Sequence, residues 1–322
     1  MSLQAYIVRR LIQAVPLVLG VLVITFVMIH LAPGDPIYIL AGEGGTEEYY
    51  AQMRALYGLD RPLYEQLLRY IFEVLRGDFG YSFSYQQPVF EVILDRLPAT
   101  LLLMGTALLF STVLGVLLGV VSAKRARSPL DHSIMVSTLT VYSMPVFWLG
   151  QLMIILFAVG FNLFPVQGMM SVREEYSGLR YWLDVLHHLA LPAITLGMLQ
   201  LAQTARLTRT SLREVLQEDF VRTARSKGLP ERTVLYRHAL RNAMLPIVTV
   251  LGGQIGVLLT GAALTETIFA WPGLGRLLLD STLRRDYPLL MAIFILVSVT
   301  VIVANLLTDL VYTLLDPRVR YT

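Results

Sequence analysis

At 322 residues the chain could fold as two soluble domains, but 55% of it is hydrophobic and only 15% charged, where a soluble chain carries about 25% charge. With a mean hydropathy of +0.62, too little polar surface remains to cover a water-facing fold. The net charge of +3 excludes little by itself, because membrane proteins retain Lys and Arg in their inner loops; it is no argument for nucleic-acid binding. The absence of cysteine removes disulfides, thiolate metal sites and thiol nucleophiles.

Six segments meet the roughly 20 apolar residues a membrane helix needs, predicting an all-α integral membrane protein of six transmembrane helices. The first, Leu11 to Ala32, follows Arg9 and Arg10 and is too long for a signal-peptide core, so it reads as a retained N-terminal helix over residues 1–32. Residues 33–96 form a net acidic loop with helix signals at Thr46-Glu47-Glu48 and at Pro62, after which Leu63, Leu67, Leu68, Ile71, Val74 and Leu75 recur at helical spacing. This loop reads as a partly helical cap on the outer face. A five-helix core over 97–322 follows, with spans at Leu97–Ala123, Ser133–Phe164, Val185–Ala205, Asn242–Thr265 and Tyr287–Thr308. Pro145 and Pro192 interrupt the third and fourth spans and can kink them.

The basic residues fix an orientation. Arg9 and Arg10, the Lys124–Arg127 group, the many arginines of 206–241, and Arg318 and Arg320 all fall on one side if there are six spans. Both termini are then cytoplasmic.

The span centres hold almost no ionisable residues. Glu266, Asp309, His30, His187, His188 and Arg206 sit near span ends and read as interfacial. That argues against an ion-coupled secondary transporter, which keeps a charged group at mid-membrane. No G-x-S-x-G, H-E-x-x-H or buried aspartate pair supports a membrane enzyme, and adjacent His187 and His188 point about 100° apart on a helix, poor geometry for one metal. No metal site is expected. Gly115-x-x-x-Gly119 and Gly252-x-x-x-Gly256 would let helices approach closely, within the chain or at a subunit interface.

The segment 206–241 is too long for a turn. Helix formers run to Gly228, Gly228-Leu229-Pro230 is a stop signal, and Pro230-Glu231 can start a second helix. Phe220, Ala224 and Gly228 share one face. A basic amphipathic helix resting on anionic lipid and a helix docking on a partner protein are both consistent with this pattern.

Arg222-Thr-Ala-Arg-Ser-Lys-Gly228 and His238-Ala-Leu-Arg-Asn-Ala243 resemble the cytoplasmic coupling loop of ABC importer permeases, in the form used by the dipeptide, oligopeptide and nickel branch. Ala224 and Gly228 match the general E-A-A-x-x-x-G pattern, while Arg222 stands at its glutamate and Arg241 at its later proline, so the glutamate's salt bridge is not expected here. Leu31-Ala-Pro-Gly-Asp-Pro36, Leu56-Tyr-Gly-Leu-Asp-Arg-Pro62, Gly77-Asp-Phe-Gly-Tyr-Ser82, Glu266-Thr-Ile-Phe-Ala-Trp-Pro-Gly-Leu-Gly275 and Arg285-Asp-Tyr-Pro288 extend the resemblance over almost the whole chain, closest to the dipeptide type with a large first outer loop.

The resemblance implies a type I ABC importer permease fold. It implies a coupling site at Glu218, Asp219, Arg222, Ala224, Arg225, Lys227 and Gly228, and an outer-face or gate group at Trp271, Pro272, Gly273 and Asp286. The chain's two lysines, Lys124 and Lys227, lie in no G-x-x-x-x-G-K-[ST], so ATP and Mg would be bound by partner subunits and this chain would carry no cofactor and be no enzyme. Implied partners are two ATPases, a second homologous permease, an external binding protein and a peptide substrate, with nickel chelates or glutathione as alternatives.

Overall fold

The computed structural model describes residues 3–31, 45–172 and 176–315. The motif from Ala32 to Pro36 and the closing Arg318 and Arg320 lie outside them. Almost all of the described chain is helical. Helix α1 is Leu3–Leu31, α2 Glu47–Tyr57 and α3 Leu63–Leu75. A two-stranded antiparallel hairpin, β1 Tyr81–Ser82 and β2 Gln87–Pro88, then departs from the all-α expectation.

Helix α4 is Val89–Lys124, α5 Pro129–Tyr142 and α6 Val146–Met153, which continues as a π-helical turn Ile154–Gly160. Helix α7 is Leu179–Val215 and α8 Asp219–Ser226. Glu231–Thr233, labelled α9, leads through π-helical Val234–Ala239 into α10, Leu240–Ile268. Helices α11, Leu274–Leu283, and α12, Tyr287–Leu315, close the described chain.

Among the described residues, α4, α7 and α12 are each long and apolar enough to cross a membrane. Two further candidates are bent. The expected single span Ser133–Phe164 is instead α5 and α6 meeting at 106°. Pro145 explains the break: it has no N–H to donate, and it pushes Met144 out of the helical region. The fifth segment bends by 59° between Gly256 and Gly261. In α1 the apolar stretch is the shorter Ile12–Met28. Pro192, by contrast, lies inside an unbroken α7.

The chain divides into two compact units. One comprises the residues up to Pro98 together with Leu277–Ile302. Here Thr46 caps α2 by accepting from the Tyr49 N–H at 3.2 Å, and Gly58 ends it in the left-handed region at φ +69°. Helix α3 starts after Pro62, and none of its residues is fully buried. The hairpin is fixed by Asp286, whose Oδ2 accepts from Ser82 Oγ at 2.6 Å and from Ser84 N at 3.0 Å.

The other unit comprises Ala99–Arg276 with the chain from Val303 on. Its centre is α7, with 67% of its most apolar window buried against 28% for α4. Leu189, Ala193 and Leu196 of α7 pack with Leu103 and Ala107 of α4, Leu258 and Ala262 of α10, and Trp271. Gly115 and Gly119 of α4 lie against Thr204 and Thr208 of α7, where an added Cβ would come within 2.8 and 2.5 Å of the threonine Cβ atoms. Gly252 lies against Thr308 with no room for a Cβ, and Gly256 closes the first arm of the 59° bend. At 37 residues, α7 is about 55 Å long at 1.5 Å per residue, beyond the roughly 30 Å hydrocarbon core. It is therefore longer than one upright span needs, and Arg206, Arg209 and Arg213 ride on this helix rather than in a loop.

Candidate functional site

The C-terminal end of α7 leads straight into the short helix α8. Glu218 precedes it in an extended conformation, Asp219 lies in its first turn and Arg225 in its last, so both charges complement the helix dipole. Val221 and Ala224 are its buried residues. They pack on Val120 and Ala123 of α4, Leu212 of α7, and Val234, Leu235, Ala239 and Ala243 of the returning helix. The small residues at i and i+3 let α8 lie flat on these three supports. Phe220 flanks this face and is 41% exposed, so of the Phe220–Ala224–Gly228 face only Ala224 is buried, beside Val221.

The reversal after α8 depends on one glycine. Gly228 has φ +73°, a conformation that costs other residues about 1–2 kcal/mol. Its N–H donates to Arg225 O at 2.9 Å, and Pro230 then opens the next helix, with Thr233 N donating to Pro230 O at 2.8 Å. Across the turn, Arg225 Nε and Nη2 donate to Glu231 Oε2 and Oε1 at 3.1 and 2.7 Å. The Glu231 carboxylate holds the Arg225 guanidinium above its ordinary pKa, chiefly through these hydrogen bonds. Asp219, Arg222, Lys227 and Gly228 remain exposed. The result is an elbow with a firmly packed back and a charged, partly aromatic front.

Close to this elbow in the same unit is an ion pair that sequence reading missed. Asp131, at the start of α5, is 1% exposed. It accepts from Arg209 Nε at 2.6 Å and Nη2 at 2.7 Å, from Arg127 N at 2.9 Å, and from Ser122 Oγ. A bidentate guanidinium–carboxylate pair is geometrically exacting, and this one ties the first arm of the bent α5–α6 pair to α7. Its signal was present, an aspartate heading an apolar helix that follows Ser128-Pro129, but its partner lies 78 residues away.

The residues of the Trp271 turn are largely buried. Glu266, expected at an interface from its place near a span end, is 0% exposed and meets protein groups. Its Oε1 accepts from Thr100 Oγ1 at 2.7 Å and its Oε2 from Arg276 N at 3.0 Å, with the Gly275 N–H adding to them. The carboxylate thus caps the start of α11 from outside the helix. Trp271 is 0% exposed, and its Nε1 donates to Ala99 O at 2.9 Å. Gly273 is buried against the Glu266 carboxylate, where a Cβ would collide with it, and Pro272 is half-buried. Asp286 belongs to the other unit and is 0% exposed. Besides bonding the hairpin, its Oδ1 accepts from Leu289 N at 3.4 Å in the first turn of α12.

No group of three or more metal-ligating side chains occurs among the described residues. His187 and His188 are held separately, one near Leu163 O at 2.8 Å and the other near Asp184 O at 2.9 Å.

Residues 115–321 match the family described as the binding-protein-dependent transport system inner membrane component, and residues 3–104 match its N-terminal counterpart. The chain belongs to this family of transport permeases. It is 45% identical to the dipeptide transport system permease protein DppB of Escherichia coli K12 over 98% of both chains. It is 42% identical to the di/tripeptide transport system permease protein DppB of Pseudomonas aeruginosa, over 98% of this chain and 99% of that one. With the glutathione transport system permease protein GsiC of Salmonella paratyphi A it shares 41% over 98% and 99%.

A solved structure of the MetNI methionine ABC transporter, in an inward-facing form, matches 70% of this permease and 97% of the solved chain with a TM-score of 0.58 at 14% identity. That likeness shows the fold, which is similar to a type I ABC importer permease. The protein is a multi-pass inner-membrane permease of a binding-protein-dependent transport system.

Proposed function

We propose that this permease is one channel-forming subunit of an ATP-driven importer for dipeptides or short oligopeptides. The observation that carries the coupling role is the elbow itself: α8 is packed on three helical segments by Val221 and Ala224, while Asp219, Arg222, Lys227 and Gly228 face outward. A surface so backed transmits a push to α4, α7 and α10 without deforming. In this reading the elbow, with Glu218 and Arg225 at its edges, seats in a cytosolic ATPase that supplies ATP and Mg, and a second homologous permease and second ATPase complete the assembly. The spans are α1, α4, the α5–α6 pair, α7, the bent α10 and α12, with both termini in the cytoplasm. Residues 33–96 then lie outside and receive the loaded binding protein, with Trp271, Pro272 and Gly273 in one unit and Asp286 in the other as outer-face or gate residues. Closure of the ATPases swings the helices between inward- and outward-open states as rigid bodies.

The two peptide-transport relatives support the substrate class. The glutathione relative favours a second reading, in which the substrate is that modified tripeptide. Ligand screening on the co-purified binding protein separates the two. For coupling, Gly228→Val is the test. The assembled complex is expected to hydrolyse ATP while losing at least about tenfold in uptake, since a β-branched residue cannot hold the left-handed turn. Uptake at the full rate would sink the docking role.

A further inference from the structure

The coupling reading makes no use of a cavity of about 310 Å³, a size typical of small-ligand sites, that lies wholly within the first unit. Its floor is apolar and aromatic: Phe26 of α1, Phe79 and Phe83 around the hairpin, and Tyr287, Pro288 and Met291 of α12. Its rim carries both signs of charge, Arg61 and Arg69 against Glu73 and Asp78. Arg69 Nε donates to Glu73 Oε1 at 2.8 Å, with side chains 56% and 43% exposed. Arg61 lies 3.8 Å from Glu65. Exposed pairs of this kind contribute only about 0–1 kcal/mol, so each member can turn to a ligand group at little cost.

One lining group has an unmet need. The Tyr70 hydroxyl is buried and has no hydrogen-bond partner, although its ring stacks on Phe26 with centroids 6.1 Å apart. Burial pushes the phenol well above its ordinary pKa, so it keeps its proton and can donate. Neighbouring His30 already has acceptors within the fold, Phe26 O 2.8 Å from Nδ1 and Gln66 Oε1 3.3 Å from Nε2, the tautomer deciding which nitrogen donates. Among the lining side chains, Tyr70 is therefore the group that calls for an acceptor from an occupant.

We infer that this cavity is a receiving site for short zwitterionic peptides, their carboxylate taken by Arg61 or Arg69, their ammonium by Glu73 or Asp78, a backbone carbonyl by the Tyr70 hydroxyl, and an apolar side chain by the aromatic floor. A purely anionic ligand would face Glu73 and Asp78 uncompensated, and a purely cationic one Arg61 and Arg69. The inference rests on the peptide-import reading above and adds where this chain itself would hold the peptide.

The experiment uses the assembled transporter in lipid nanodiscs without its binding protein, and a dipeptide carrying a diazirine on an apolar side chain. Crosslinks are expected on α3 or on residues 78–83, displaced by unlabelled dipeptide. Tyr70→Phe is expected to lower displaceable labelling about three- to tenfold at subsaturating probe, the effect of one lost hydrogen bond. Its thermal midpoint should be unchanged or raised, because the variant deletes an unsatisfied buried hydroxyl; a merely structural tyrosine would give the opposite stability change. Labelling that dipeptide does not displace, or equal displaceable labelling in wild type and Tyr70→Phe, overturns the site. Uptake of the same dipeptide is measured on the wild-type complex with binding protein added. Its absence sinks the peptide reading as well, whereas uptake without displaceable label sinks the cavity alone.

Discussion

The elbow around Gly228 and the turn around Trp271 are both sharp reversals between helices, and they are held by opposite means. At the elbow the buried contacts are apolar and small, Val221 and Ala224, and the charges face outward. At the Trp271 turn the indole packs in the apolar core, but the buried contacts also include polar ones: the Glu266 carboxylate collects a hydroxyl and two backbone N–H groups, and the indole N–H is bonded to a main-chain carbonyl. An apolar back leaves the front free for another protein to grip. A buried carboxylate that already accepts three hydrogen bonds has little left to offer, and it pins the turn in one geometry. Under the proposed coupling role, the first region would move as a unit and the second stay fixed.

The largest effect that sharpens this contrast is at the fixed turn. Glu266→Ala leaves Thr100 Oγ1 and the Gly275 and Arg276 N–H groups without their acceptor, each buried unsatisfied group costing about 1–3 kcal/mol. The expected result is a permease that fails to accumulate in the membrane, or whose thermal midpoint falls steeply. Glu266→Gln retains an acceptor oxygen and should recover part of the loss. If Glu266→Ala is as stable as wild type, the turn is not held by its carboxylate. Next in size is Asp131→Asn. It removes one charge of a buried pair and leaves Arg209 uncompensated, a change that costs about 3–5 kcal/mol in fully buried cases. Arg209 is 23% exposed, so the expected loss is below that range, read as a lower denaturation midpoint. The paired change Asp131→Asn with Arg209→Met should be milder than Asp131→Asn alone.

These two regions also differ in how far the sequence announces them. The elbow is written in local signals, Asp219 at a helix start, Gly228 and Pro230 at a stop, all within a dozen residues. A single sequence therefore carries it, apart from which face is buried. That face is decided in part by Val120 and Ala123 of α4, which no window around α8 contains. The bonds of Glu266 are hidden for the same reason: its partner Thr100 is 166 residues away, and nothing near it in the sequence announces that hydroxyl. Pro145 marks a break, but a proline does not specify 106°. The two-residue strands of the hairpin are too short to show a period of two, and their place is set by Asp286, 204 residues from Ser82.

Within the elbow, stability and coupling should separate. Gly228→Ala puts a side chain at φ +73° with no atom within 4 Å of the new Cβ. The loss is then backbone strain alone, about 1–2 kcal/mol, and the thermal midpoint should fall by only a few degrees. A Gly228→Ala variant that is well folded yet transports poorly locates the defect in the shape of the turn rather than in packing. A collapse of the fold would instead mean that this reversal, like the Trp271 turn, is part of the fixed frame.

The smallest expected effect is at the ion pair that crosses the elbow. Arg225 and Glu231 are joined by two hydrogen bonds, but their side chains are 44% and 57% exposed. Solvent screening keeps such a pair near 0–1 kcal/mol, and about 0.15 M salt shortens the reach of exposed charges to about 8 Å. Glu231→Gln should therefore leave the denaturation midpoint within a degree or two of wild type. Its effect on uptake is the sharper reading. A guanidinium released from Glu231 is free to bond a docking partner, so the variant should bind the ATPase with a steeper salt dependence than wild type while remaining equally stable. A large loss of stability in Glu231→Gln would mean that the elbow is held by its charged front, which is the reverse of the apolar-backed arrangement on which the contrast with the Glu266 turn depends.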